Sequence, residues 1–340
     1  VTITYQPKNI LVTGGAGFIG GHFLCYMHKT HPTVHLVNVD KLTYAGSLNH
    51  LKEIATSNRY HFIQGDICDA TLLKQLMTHY HIDTIVHFAA ESHVDRSIHS
   101  PHAFMETNVM GTFQLLEAAK TYWFDAKKEA SQCRFHHIGT DEVFGSLAPH
   151  QAGFTEETAY QPRSPYSASK AASDHLVMAY FHTYGLPITL SNCSNNYGPH
   201  QHSEKFIPTI INACLKKEMI PVYGNGQNKR DWLYVEDHCR AIDTILRHAP
   251  VGSRYNIGGC NEWENIHLAK YICEKMDKQL PFEGSYLDLL RFVTDRPGHD
   301  FRYAIDEKKI RNELQWAPLE TFETGILKTI ASIMNTTTPL

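Results

Sequence analysis

Apolar, β-branched runs alternate with longer segments of helical period from the start of the chain. Asn9 to Thr13, Val34 to Asp40, Tyr60 to Asp66, Thr84 to Ala90, Phe135 to Thr140 and Ile188 to Cys193 read as strands. Helical stretches near 18–29, 70–80, 101–125 and 165–184 lie between them, the βαβα rhythm of a parallel sheet covered on both faces. Past about residue 190 the rhythm breaks into Pro- and Gly-punctuated pieces such as NNYGPHQ and PVYGNGQ, after which RYNIGG reads as one further strand. The expected fold class is α/β, a doubly wound parallel sheet with a smaller, interleaved C-terminal domain. The expected division is 1–190, with about 233–262 returning to it, against 191–232 and 263–340.

Within the first βα unit, NILVTGGAGFIGGHF places Gly14, Gly17 and Gly20 between a strand and a helix. Spaced in this way they allow a tight turn and let backbone approach a pyrophosphate at the helix N-terminus, which makes the sheet Rossmann-like. The next strand ends in Asp40, twenty residues after Gly20. A carboxylate there can accept from both hydroxyls of an adenosine ribose and repels a 2′-phosphate, so NAD is expected over NADP. Capping of the following turn is the alternative role for Asp40. Asp66, closing YHFIQGD, is placed to reach an adenine edge with the backbone of Ile67, or to serve its own turn.

Tyr166 and Lys170 form Y-x-x-x-K in SPYSASKAASDHL. On a helix the i, i+4 spacing puts both on one face, where an ammonium can stabilise a tyrosinate and make the phenol a usable base. Thr140-Asp141-Glu142 stands at the end of strand RFHHIGT, the edge where doubly wound sheets bind ligands. Two adjacent carboxyls are needless for simple hydride transfer. They suit an elimination, in which one acid protonates a leaving hydroxyl while a base removes the neighbouring proton. A surface turn would account for Asp141 and Glu142 taken alone.

Composition narrows the field. With 42% hydrophobic and 19% charged residues, burial can drive folding, and a disordered or collagenous chain is excluded. Charges of 31 basic against 35 acidic residues give −4, which attracts neither nucleic acid nor an anionic membrane. No run approaches the length of a membrane span, and the chain starts directly in a strand, so a cytoplasmic protein is expected. The eight cysteines lie far apart without C-x-x-C, and the 23 histidines scatter without paired ligand spacing, so reduced thiols and no metal are expected.

Together, the glycine fingerprint and Y-x-x-x-K resemble the extended short-chain dehydrogenase/reductase superfamily. The strings TGGAGFIG, DKLTYAG, GDICD, AAESHVDRSI, GTDEVFG, SPYSASKAASDHLV, NCSNNYGP, EKFIP, RDWLYVEDH, YNIGG and DRPGHDFRYAID, in this order from residue 9 to about 318, resemble the dTDP-glucose 4,6-dehydratase family. That resemblance implies Tyr166 as the base at the sugar 4-hydroxyl, with Lys170 holding the nicotinamide ribose and lowering the tyrosine pKa. It implies Thr140 orienting the 4-oxygen, Glu142 removing the C5 proton and Asp141 protonating the departing 6-hydroxyl. NAD would stay bound, being regenerated at each turnover. Matching positions extend the cofactor set from Gly14, Gly17, Gly20, Asp40, Asp66 and Ile67 to Phe18 and Ile19, to Lys41, Leu42 and Thr43, and to Phe88, Ala89, Ala90, Ser92, Thr107 and Asn196.

For the nucleotide-diphosphate hexose substrate the resemblance implies Ser92, Asn195, Lys205, Phe206 and Asn265, with Arg230, Arg296 and His299 toward phosphates and Pro221, Val222 and Tyr223 toward the base. Two features depart from the family pattern: Phe144 stands where Tyr is frequent, and Ser146 to Phe154 is shorter than the usual insertion. Both bear on lid shape and substrate closure. A sugar-nucleotide epimerase shares the glycine loop and Y-x-x-x-K but has no use for an acid at C6. A dehydratase of UDP-glucose and a non-catalytic NAD-sensing protein on the same fold are the other readings. Apolar residues on more than one face of the helices near 101–125 and 165–184, namely Phe104, Leu115, Leu116, Leu176, Val177 and Phe181, suggest a C₂ homodimer through a helix bundle, as in the extended superfamily.

Overall fold

A computed structural model describes residues 5–125, 129–295 and 297–337. Twelve strands occur among them: β1 Asn9–Thr13, β2 His35–Asp40, β3 Tyr60–Gln64, β4 Thr84–His87, β5 Arg134–Thr140, β6 Ile188–Cys193, β7 Asn195–Tyr197, β8 Ile220–Tyr223, β9 Lys229–Tyr234, β10 Arg254–Ile257, β11 Glu262–Glu264 and β12 Leu290–Val293. The helices are α1 Phe18–Thr30, α2 Ala70–His79, α3 Val94–His99, α4 Pro101–Phe104, α5 Thr112–Asp125, α6 Pro165–Tyr184, α7 Phe206–Lys216, α8 Val235–His248, α9 Asn265–Gln279, α10 Lys308–Leu314 and α11 Phe322–Thr337.

Seven strands form a parallel sheet in the order β10-β6-β5-β4-β1-β2-β3, the doubly wound topology expected from the sequence. Central β1 shows why its run is apolar throughout. Ile10 and Val12 pack with Phe23 and Leu24 of α1 and with Ile242 of α8, while Leu11 points the other way, toward Leu73 of α2 and Leu116 of α5. Both faces of the strand are dry, so alternation has no polar phase. A separate core joins α7, α9 and α11 through Ile207, Ile211, Leu268, Ile272, Ile326 and Ile330. It supports two small sheets, β11-β9-β7 and β12-β8. Pro221 to Tyr223 thus lie in a strand, although the sequence reads there as an irregular piece. No described helix is long and apolar enough to cross a membrane.

Three expectations shift. Strands β3 and β4 stop at Gln64 and His87, before the expected Asp66 and Ala90, because their last residues peel away to line a cleft. The stretch 101–125 is not one regular helix: α4 and α5 flank a wide π-helical turn, Met105–Gly111. That turn carries Asn108, whose amide oxygen accepts from Glu91 N at 2.8 Å and whose nitrogen donates to Ser169 Oγ at 2.8 Å. Such widened turns accompany functional sites. Finally, of the six apolar residues expected to serve a second copy, Phe104, Leu115, Leu116 and Val177 are buried in the chain's own core, whereas Leu176 and Phe181 pack on it only partly buried. Large apolar side chains exposed on the same elements are instead Met105, Met110, Phe124 and Tyr184.

Candidate active site

A cleft of about 470 Å³ runs along the C-terminal ends of the central strands. Its floor at β1 is shaped by backbone. Gly14 has φ +73°, and a Cβ on it would lie 2.6 Å from Ala89 N; one on Gly20 would lie 2.4 Å from the Gly14 carbonyl oxygen. Only glycine fits either position. Gly17 caps α1 without a side-chain hydrogen bond, which leaves the first amides of the helix for a ligand, and Phe18 and Ile19 open that helix on the cleft. Asp40 accepts from Ala16 N at 2.9 Å and from Leu42 N at 2.8 Å. The turn-capping role and a place in the cleft are therefore both filled by one carboxyl, whose pKa burial raises. Leu42 sits at φ +54° in the turn so capped.

Asp66 also does two things: it accepts from Cys68 N at 2.9 Å and pairs with Lys41 Nζ at 2.6 Å. Burial pushes this carboxyl up, but Lys41 and the Cys68 amide more than reverse it and hold it below its ordinary range. Lys41, Thr43, Ile67, Phe88, Ala89, Ala90, Ser92, Thr107 and Asn196 all line the same cleft. The cradle is closed to side chains at the glycines, open at the helix amides, and faced by Asp40 across from them. These features fit a dinucleotide.

Local sequence explains the position of the reacting groups. Ser164 caps α6 in a capping box with Ser167, Pro165 takes the first helical position and Gly185 ends the helix at φ +69°. Tyr166 is thereby fixed in the first turn and Lys170 one turn on. Thr140, last residue of β5, caps a 3₁₀ turn over Asp141–Phe144 by accepting from Glu142 N at 3.3 Å. Thr140, Asp141, Glu142, Tyr166 and Lys170 all line the cleft.

Asp141 is 2% exposed. Burial raises its pKa well above the carboxylate range, and the neighbouring charges of Glu142 and Asp231 raise it further. These surroundings favour its neutral, acid form. Tyr166 is also raised well above its ordinary range, by burial first and then by Glu142, and the Thr140 hydroxyl hydrogen-bonds the phenol and opposes the rise. Thr140 is thus one group that favours the phenolate. Lys170 donates instead to the Ile138 carbonyl at 2.7 Å, because its buried ammonium reaches the adjacent strand β5.

At the other end of the cleft, Asn195 presents a buried side-chain oxygen without a hydrogen-bond partner, and Lys205 Nζ donates to the Ser92 carbonyl at 3.0 Å. Phe206, Pro221, Val222, Tyr223, Arg230, Asn265 and His299 are not among the residues that line the cleft. Phe206 stacks on Trp232, Val222 is buried in β8, and Asn265 opens α9 with its side-chain oxygen buried and unpartnered. Tyr223 and His299 do meet, their rings 6.4 Å apart, and His299 Nδ1 lies 2.6 Å from Asp295 Oδ1. The guanidinium of Arg230 is buried, donates to the carbonyls of Lys229, Asp300 and Phe301, and lies over the Tyr303 ring at 4.2 Å. Arg296 lies outside the described residues.

The family model described as GDP-mannose 4,6 dehydratase matches residues 11–329. A dTDP-glucose 4,6-dehydratase of Shigella flexneri is 53% identical over 333 residues, covering 94% of this chain and 91% of that protein, and one of Neisseria meningitidis serogroup B is 52% identical, covering 95% and 92%. The chain belongs to the dTDP-glucose 4,6-dehydratase family. Among solved structures it is similar to the Streptomyces venezuelae family member DesIV, determined with NAD, at 41% identity, a TM-score of 0.88 and coverage of 96% and 97%. A Bacillus cereus UDP-glucuronic acid 4-epimerase shares the fold at 26% identity and a TM-score of 0.86, covering 97% of this chain and 100% of that one.

Within this dehydratase family frame the two sequence departures acquire a setting. Phe144 is buried, stacked on Phe154 with centroids 5.1 Å apart, and the short segment is stapled down by Leu147 N to Arg302 O at 2.9 Å and Phe154 N to Ala304 O at 2.8 Å. The segment is packed against 302–306 and is no free lid. Sequence reasoning passed over Asn108, His50, His200 to His202 and Glu204, although all but Asn108 line the cleft. Their residue types repeat too often along the chain to stand out.

Proposed function

We propose that this dehydratase converts dTDP-glucose to dTDP-4-keto-6-deoxyglucose by C4 oxidation, loss of water across C5–C6 and reduction at C6, with the five cleft residues above as its reacting groups. Bound NAD would supply the acceptor and later the donor of one hydride and so would be regenerated at each turnover. Gly14, Gly17, Gly20 and Asp40 would hold it, with Lys41 and Asp66 toward its adenosine. Tyr166, as the phenolate that the Lys170 ammonium and the Thr140 hydroxyl favour, takes the proton of the 4-hydroxyl, and Thr140 orients the 4-oxygen. Glu142 removes the C5 proton, which the C4 ketone has made acidic. Asp141 gives its proton to the departing 6-hydroxyl, and Glu142 returns a proton to C5.

The observation that carries this reading is the buried Asp141 beside Glu142 at the end of β5, in surroundings that raise its carboxyl well above the usual range. An epimerase would bring no leaving hydroxyl to that acid. We extend the proposal to tight retention of NAD, to the domain division 1–190 with 233–262 against 191–232 and 263–340, and to a homodimer using exposed Met105, Met110, Phe124 and Tyr184. The eight cysteines are free, which suits the reducing cytoplasm we propose as its location. Mass spectrometry after separate incubation with dTDP-, UDP-, CDP- and GDP-hexoses tests the reading. Loss of 18 Da from the dTDP-hexose is expected, and conversion of UDP-glucose alone, or epimer formation without water loss, would overturn it.

A further inference from the structure

Behind the reacting groups, where α6 meets the sheet, lies a buried cluster that the mechanism above does not use. Asp174 follows Lys170 by four residues, as Lys170 follows Tyr166, so the three share one face of α6. It is 1% exposed. Its Oδ2 accepts from the Tyr160 phenol at 2.9 Å and from the Asn192 amide at 2.9 Å, and its Oδ1 lies 3.1 Å from Nε2 of His137. The same Asn192 nitrogen donates to the Thr140 carbonyl at 3.2 Å, which ties the cluster to the end of β5. Lys170 is 5% exposed, and its one hydrogen-bond partner among the described residues, the Ile138 carbonyl, carries no charge. A buried ammonium bonded only to a neutral carbonyl is costly unless an anion stands nearby.

We propose that Asp174 is a positioning residue whose carboxylate is the counter-charge that keeps Lys170 an ammonium, and whose hydrogen bonds through Asn192 hold Thr140 in register with α6. The proposal rests on the reading of Tyr166 and Lys170 given above. Directions of titration support it. Burial pulls Lys170 down and Asp174 opposes that pull. Asp174 itself is pushed up by burial, yet His137, Lys170 and Asn192 reverse this and keep it ionised. His137 is lowered by burial and then by Lys170, so it stays neutral. Other titratable groups near Lys170 are Tyr166 on its own helix face, His87 on β4, whose pKa burial also lowers, and Cys193 on β6, whose thiol burial pushes up to about 12. On the wide turn before α5, Asn108 bonds Ser169, and Glu106 lines the cleft, as Glu142 does beyond β5. Asp174 is the carboxylate that shares the helix face of Lys170.

Two nearly isosteric variants of the purified holoenzyme separate charge from packing. Asp174→Asn removes the charge, whereas Tyr160→Phe removes one hydrogen bond and keeps it. The ammonium of Lys170 is followed by ¹⁵Nζ NMR, assigned by its loss in Lys170→Met, beside the pH profile of kcat/KM. In Asp174→Asn the Lys170 proton should be lost about one pH unit or more below wild type, with the alkaline limb of kcat/KM moving with it. The activity deficit should then be about tenfold near pH 8 and shrink toward pH 6. Tyr160→Phe should leave both titrations near wild type. A deficit equal at all pH values, an unmoved Lys170 titration, or a Tyr160→Phe shift as large as that of Asp174→Asn would overturn the proposal. Should Asp174→Asn fail to fold, the wild type decides: Lys170 must remain protonated to about pH 8. The NMR titration needs no substrate, so inactivity of the wild type on every nucleotide sugar would sink the proposed function and leave this test standing.

Discussion

At the β1 end of the cleft the chain shapes its site with backbone, through Gly14, Gly20 and the uncapped amides of α1, whereas at the β9 end the groups expected to meet substrate are side chains drawn from distant segments. Arg230 on β9 is tied to carbonyls of residues 300 and 301, and Tyr223 on β8 meets His299 from the segment that follows β12. Backbone shape is set by local sterics and tolerates almost no substitution. Side-chain constellations depend on tertiary packing, and their members can serve fold and ligand at once. The two ends should therefore fail in different ways.

The largest effect is expected at the backbone end. Gly14→Val would set a β-branched residue at positive φ and drive its Cβ against backbone atoms of Phe88 and Ala89, which cannot swing aside. NAD should no longer co-purify, as judged by nucleotide released on denaturation, with little or no activity remaining. Retention of stoichiometric NAD would show that the cradle is not sterically defined and would erase the contrast between the two ends.

Between the ends lies the reacting cluster, where the effects should be stepwise. Tyr166→Phe should cost at least about 10²-fold and stop the reaction before any ketone forms. Glu142→Gln and Asp141→Asn should permit C4 oxidation but not elimination, so that single-turnover mixing shows nicotinamide absorbance that rises and persists. If both variants release 4-keto-6-deoxy sugar at the wild-type rate, Asp141 and Glu142 are turn residues and the elimination has lost its acid and base.

What could be read from the sequence follows the same divide. The glycine spacing, Asp40 and Y-x-x-x-K are local patterns whose meaning depends on a few residues of one βα unit or one helix turn. The cluster of Asp174, His137 and Asn192 is invisible in that way, since its members come from α6, β5 and β6 and each alone reads as a core polar residue. Arg230 was legible as a cation near a family string, but nothing in its neighbours along the chain reveals that residues 300 and 301 supply its acceptors. The widened turn at Met105–Gly111 escaped because the apolar period continues through it; only the fold shows that its last residue packs against Ile67 so closely that a Cβ on Gly111 would sit 2.4 Å from that side chain.

Arg230→Ala sharpens the comparison at the substrate end. Truncation removes charge-assisted hydrogen bonds to the carbonyls of Lys229, Asp300 and Phe301, each of which keeps one other donor, and removes the cation over Tyr303, so a loss of about 2–3 kcal/mol in denaturant unfolding is expected. A phosphate ligand with no structural duty would behave otherwise: substrate affinity would fall while the unfolding midpoint stayed in place. Measuring both on one preparation separates the roles.

The smallest effect concerns Asp141 and its sign is set by linkage. In the unfolded chain its carboxyl returns to the ordinary value of 3.8, whereas in the fold burial and then Glu142 and Asp231 raise it. Between those two values the folded state holds the proton and the unfolded state has released it, so stability falls as pH rises through the window. The contribution is fully present below about pH 4 and is lost toward the raised folded value. Asparagine cannot ionise and escapes this loss. Asp141→Asn should therefore match wild type in melting temperature near pH 4 and exceed it by about a degree or two at neutral pH. Because Glu142 contributes to the raised value, Glu142→Gln should narrow the gap between the Asp141→Asn and Asp141 forms when the two substitutions are combined. A gap independent of pH, or one of opposite sign, would mean that Asp141 is ionised in the fold and is not the acid that the departing hydroxyl requires.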